Sequence, residues 1–139
     1  MSGYDRRSIP ELEAREDRPA RRFDVSSALG IEGYNLNVAF LDPGERLALS
    51  GLHYHEDQEE FFYVAAGRCR VELEEGSFDL ETDGMVRFDP GTAQFVHNPS
   101  DEPAKVIAIG HPPDAHRPAH QVQSSEELFE ERYGGEPCE

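Results

Sequence analysis

Turn residues limit what this chain can fold into more than any other feature. Between Tyr34 and Ile109 they cut it into short stretches that alternate apolar and polar side chains. The cleanest alternation is RCRVELE at 68–74: Cys69, Val71 and Leu73 share one face, and Arg68, Arg70, Glu72 and Glu74 share the other. Successive side chains of a strand point to opposite faces, so this stretch predicts a strand with one buried and one wetted face. YNLNVAFL at 34–41 has the same period, with Leu36, Val38 and Phe40 pointing one way. EFFYVAA at 60–66 is aromatic and β-branched. Further short strands are expected at 21–26, within 46–55, around Phe78 and Leu80, and at 85–88, 94–97 and 105–109. Turn chemistry separates them: Asp-Pro-Gly at 42–44 and 89–91, Gly67, Glu-Gly at 75–76 and Asp-Gly at 83–84. Many short strands between such turns predict an all-β sandwich or barrel. Tyr34, Phe40, Phe78 and Phe88 read as core residues.

The 139 residues suffice for one domain. Residues 1–20 are charged and carry two prolines, and read as a flexible N-terminal arm. Residues 21–110 hold the predicted barrel. Residues 27–33 read as a turn, or as one short helical turn ended by glycine. Residues 111–139 begin as a strap rich in proline and histidine. They then predict a short helix reaching Tyr133: Glu127 follows Ser124 by three residues, as in a capping box, and Gly134-Gly135 ends the helix. Cys69 lies in a strand and Cys138 is the penultimate residue, so a disulfide framework is not expected.

Charge narrows the partners. There are 29 Asp and Glu against 13 Lys and Arg, a formal net charge of -16, and Lys105 is the single lysine. Nucleic acid and anionic membrane call for cationic surface, so neither is an expected partner. An apolar leader is absent, as is any apolar run long enough to span a bilayer, and the expected location is the cytoplasm. At molar salt the Debye length falls to about 3 Å and the self-repulsion of such a surface largely vanishes. Such a composition is expected of a protein from a halophilic organism, and an ordinary acidic cytosolic protein is the alternative reading.

The residues that could carry chemistry begin with His53 and His55. Two apart in a strand, they present imidazoles on one face, and the chain returns through a short acidic loop to Glu60. Two histidines and a carboxylate on rigid strands suit a divalent transition metal with open positions; the same residues also read as exposed histidines on a rim strand. Phe62 and Val64 share the parity of Glu60 and are expected to line the same interior. Phe61 and Tyr63 face the other way, toward packing or a second subunit. His111, His116 and His120 are a weaker histidine group in the tail.

The stretch HYHEDQEEFFYVAAG, residues 53–67, resembles the first conserved motif of the cupins: His-x-His, a spacer, Glu, six residues, Gly. His53, His55, Glu60 and Gly67 match it, whereas Leu47 stands at the family's leading glycine. Residues 89–98 are similar to the second motif. Gly91 and Asn98 match there, Asp89 stands at the family's proline, and Gln94 stands where the family has its fourth ligand, a histidine. His97 has the wrong parity to replace it. The resemblance, over residues 34–110, implies a double-stranded β-helix, or jelly-roll barrel. It implies an interior site of His53, His55, Glu60 and Gln94 for Fe, Mn, Ni or Zn, and a homodimer formed through a sheet face. Three roles are open on this reading: a metal-dependent protein acting on or binding a small organic molecule, a metal-free binding or sensing module, and a structural dimeric scaffold.

Overall fold

The computed structural model describes residues 3–16, 18–113 and 119–137. Ten strands and two α-helices are assigned within them: β1 (Arg21–Asp24), α1 (Val25–Leu29), β2 (Asn35–Leu41), β3 (Leu52–Tyr54), β4 (Glu59–Ala66), β5 (Cys69–Leu73), β6 (Gly76–Leu80), β7 (Met85–Phe88), β8 (Phe95–His97), β9 (Ala104–His111), β10 (His120–Gln123) and α2 (Ser125–Tyr133). The architecture is a double-stranded β-helix whose sheets do not close into a continuous barrel. One layer has the order β1-β2-β9-β4-β7. The other combines the pair β10-β3 with the sheet β6-β5-β8. An isolated antiparallel bridge between His53 and Gln94 links these two pieces.

The main core lies between the layers. Ala39, Leu41, Phe62, Val64, Val106 and Ala108 come from one side, and Leu47, Cys69, Val71 and Val96 from the other. Burial pushes the Cys69 thiol up to about 12, so it acts as a small apolar residue. Cys138 lies outside the described residues.

Helix α2 forms as the capping signal predicts. Ser124 accepts a hydrogen bond from the Glu127 amide, and Gly134 closes the helix in the left-handed conformation. Its Leu128 and Phe129 pack on Leu52, Ala93 and Phe95, which makes a second core on the outer side of β3 and β8. This cover changes the wetted face expected for β5 at one position: Glu72 is completely buried beneath α2, whereas Arg68 and Arg70 are half-buried and Glu74 is exposed.

The parity of β2 also turns out differently. Asn37, Ala39 and Leu41 are its buried residues, whereas Phe40 lies half-buried on the outer face under Arg21 and Lys105. Phe88 is core as expected, but Tyr34 and Phe78 are exposed. A half-exposed aromatic at a sheet surface keeps its period, so alternation alone could not tell which face was the inner one.

The described part of the N-terminal arm is not a detached leader. The Arg15 amide donates to the Arg22 carbonyl at 2.7 Å, turning the chain back on itself, and Ala20 enters the core. The strap contributes strand β10, paired with β3. No helix among the described residues is long and apolar enough to cross a membrane.

Candidate functional site

Strand register opens a cavity at one end of the main core. Across the five-stranded sheet, Asn35, Gly110, Glu60 and Phe88 form one row, and Asp24, Asn37, Ala108, Phe62 and Val86 the next. Ala108, between Asn37 and Phe62, puts only a methyl group on this wall, and the Gln58 side chain packs close over Gly110. One row further on, Ala39, Val106 and Val64 are closed core. Phe62 therefore lines the cavity as expected, and Val64, two residues along the same strand, packs in the core and is absent from its wall. The cavity measures about 670 Å³.

Four expected site residues meet on its wall: His53, His55, Glu60 and Gln94. The first and last are held together by two backbone hydrogen bonds, 2.8 and 3.2 Å, across the bridge between β3 and the start of β8. Both are nearly fully buried. The imidazoles of His53 and His55 stand edge to face with centroids 5.3 Å apart. His55 Nε2 lies 3.6 Å from Glu60 Oε1, and Gln94 Nε2 donates toward the same oxygen across 3.4 Å. His53 Nδ1 is 2.7 Å from the Gly51 carbonyl oxygen. That carbonyl can only accept, so Nδ1 carries the proton, and in the neutral ring Nε2 keeps its lone pair.

Electrostatics follow from burial. Desolvation lowers the pKa of His53, against the opposing pull of the Gly51 hydrogen bond and of Glu60. Desolvation also lowers His55, opposed by Asp57 and assisted by Arg18. Glu60 is raised by desolvation, against His53, Arg22 and the Gln94 hydrogen bond. The imidazoles are thus held toward the neutral form, the form that ligates a metal.

In kind, the donor set fits a divalent metal: two neutral imidazoles, one with its tautomer fixed by a backbone carbonyl, and a carboxylate. In placement it is looser. Among the described residues no group of three or more His, Cys, Asp or Glu side chains is drawn together so as to hold a metal ion.

Among the described residues no other histidine lines the cavity. His97 lies on the opposite face of β8, with Nε2 2.7 Å from Glu72 Oε2. Tyr54, between the two site histidines, stacks on His120 outside the cavity. His111 contacts the Gly33 carbonyl, and His116 lies outside the described residues. Sequence reasoning missed Arg15, Arg18, Arg22, Asn35 and Asn37, all of which line the cavity. Only the parity of β2 carried a signal for the asparagines; Arg15 and Arg18 arrive because the arm folds back, and Arg22 is brought by β1.

Comparisons with known proteins agree with this architecture. The sequence profile of the family described as "Cupin domain" matches residues 38–110. The polyketide synthase CurC of Streptomyces cyaneus is 33% identical over 72 residues, covering 52% of this chain and 45% of that protein. The chain spans about half the length of the curated relatives it matches. A sugar phosphate isomerase from a cupin superfamily, from Silicibacter pomeroyi, superposes with a TM-score of 0.66 at 24% identity, covering 76% of this chain and 74% of that one. The oxalate decarboxylase of Bacillus subtilis, described with Mn(II) centres, superposes with a TM-score of 0.62 at 17% identity, covering 91% of this chain and 35% of that one. At these identities the two structures speak for the fold alone. With the family profile matched over more than half its length, on a double-stranded β-helix, this chain belongs to the cupin family.

Proposed function

We propose that this cupin holds a divalent metal through His53, His55 and Glu60, with Gln94 as a fourth ligand or hydrogen-bonding neighbour, and acts on or binds a small organic molecule in the same cavity. The observation that carries the metal reading is the bond from His53 Nδ1 to the Gly51 carbonyl, which leaves Nε2 as the ligating atom beside His55 and Glu60. A bound metal would supply a Lewis acid or a place for dioxygen to bind. Mn(II) in the oxalate decarboxylase makes manganese a sensible first ion to test here. The cavity volume suits a metabolite-sized ligand. A metal-free pocket is the second reading. The Gln94 amide pointing at Glu60 favours it, because that contact uses the carboxylate without an ion.

Elemental mass spectrometry separates the two readings, on protein purified at high salt without chelator. Close to one metal per chain in the wild type, lost in the His53→Ala/His55→Ala double variant, is the expected result. No metal in the wild type, even after reloading with Mn, Fe, Ni or Zn, would overturn the metal reading and leave the pocket reading standing.

A further inference from the structure

We infer that the cavity's ligand is an anion bearing hydroxyl groups, a small hydroxycarboxylate or sugar-like phosphate ester, held by Arg15, Arg18, Arg22 and Asn37. The inference rests on the small-molecule part of the reading above and is independent of the metal.

Charge is the first argument. In a chain of net charge -16, three of the twelve arginines line one cavity. Among the described residues the acidic side chains on the same wall are Asp24 and Glu60. Asp24 is engaged elsewhere: its carboxylate caps α1, accepting from the Ser27 amide at 3.1 Å and from the Ser27 hydroxyl at 2.6 Å. Glu60 shares one oxygen with His55 and Gln94. Among the described lining residues three arginines stand against two carboxylates, so this wall is cationic on balance inside an anionic protein. Field lines from low-dielectric walls of one sign draw in the opposite charge, and the planar guanidinium fork matches carboxylate and phosphate oxygens.

Placement is the second argument. The backbone bond from Arg15 to Arg22 folds the arm so that both residues, with Arg18 between them, face the cavity. Arg22 Nη1 also reaches the Leu47 carbonyl at 3.3 Å, which ties β1 to the opposite wall. The charge of Arg18 is felt at both His53 and His55, and that of Arg22 at Glu60. Arginines and metal-type donors thus share one space, with room for a ligand spanning both.

Asn37 supplies the hydroxyl part. It is 5% exposed and lines the cavity, and its Oδ1 has no hydrogen-bond donor among the described residues. A buried acceptor without a donor is costly and rare in folded proteins. A ligand hydroxyl would satisfy it, whereas an aliphatic acid would not.

Calorimetric titration of the full chain tests this, using L-malate, D-glucose 6-phosphate and neutral D-glucose as probes. Each is titrated into chelator-treated protein and into protein loaded with Mn(II). The expected result is saturable binding of at least one anion to the chelator-treated protein and none of glucose. Which anion binds separates carboxylate from phosphate. Arg18→Gln/Arg22→Gln should weaken the anion roughly a hundredfold, about tenfold for each charge-assisted contact. Asn37→Asp, nearly isosteric, should weaken it as well, with thermal melting confirming that both variants fold. The inference is overturned if glucose binds as tightly as the anions, or if neither anion saturates by ~10 mM, well past a millimolar dissociation constant. It is equally overturned if folded variants keep wild-type affinity. Because one arm contains no metal, failure of the metal reading leaves these outcomes intact.

Discussion

Glu72 is a carboxylate with no exposed surface, and three side chains hold it. His97 Nε2 lies at 2.7 Å, the Tyr133 hydroxyl donates at 2.6 Å, and Arg132 Nη1 donates at 3.0 Å. Burial by itself would raise its pKa, but the hydrogen bonds from His97, Tyr133 and Arg132 outweigh burial and hold it below the ordinary value of 4.5. The sign of the linkage follows. The unfolded chain binds this proton more readily than the folded one, so the stabilisation is complete above pH 4.5 and is lost as pH falls through the lower folded value. Glu72→Gln should flatten the acid limb of stability against pH, measured by urea denaturation from about pH 7 down to about pH 3. A variant with the wild-type acid limb would show that other carboxylates carry it.

At the scale of elements, α2 does for the second layer what no strand can. It turns the outer faces of β3, β5 and β8 into interior, through Leu128 and Phe129 against Leu52 and Phe95 and through Arg132 and Tyr133 against Glu72. In doing so the helix backs the strand that presents His53. Gly51 is where the two meet. A Cβ there would sit 2.7 Å from the Ser124 carbonyl carbon and overlap the backbone of Gln123 and Ser125. Overpacking of this kind costs about 1–3 kcal/mol. Gly51→Ala should therefore lower the unfolding free energy by that order, read from a lower urea midpoint. It should also weaken binding in the cavity, because the Gly51 carbonyl orients His53. Loss of stability with unchanged ligand affinity would show that β3 and the site are uncoupled.

For the whole molecule, the outer face of the five-stranded sheet carries a row of half-buried apolar side chains. Leu36, Val38, Phe61, Tyr63, Ile107 and Ile109 stand side by side there, all partly exposed. We propose, on the family resemblance, that a second copy covers it. Two copies of net charge -16 repel each other at low salt, and the repulsion is screened as the Debye length shrinks from about 10 Å at 0.1 M to about 3 Å at 1 M. Sedimentation should find a dimer that tightens with added NaCl, and Phe61→Asp should shift it to monomer. A monomer at every salt concentration would remove the dimer and, with it, the scaffold role.

Local periodicity and spacing determined much of this protein. Alternation and turn residues specified short strands, the Ser124 cap and Gly134 specified α2, and strand parity put His53 and His55 on one face, while Glu60 and Gln94 were picked out by the family's two motifs and all four line one cavity wall. What lies opposite a strand is not local. Only the tertiary structure decided that Asn37 rather than Phe40 faces inward, that Glu72 is buried under a helix more than fifty residues away, and that Val64 is core while Phe62 is wall. It also decided that a charged arm brings Arg15 and Arg18 to the site. Each of these depends on which long-range surface covers a face, and a period of two is the same whichever side is covered.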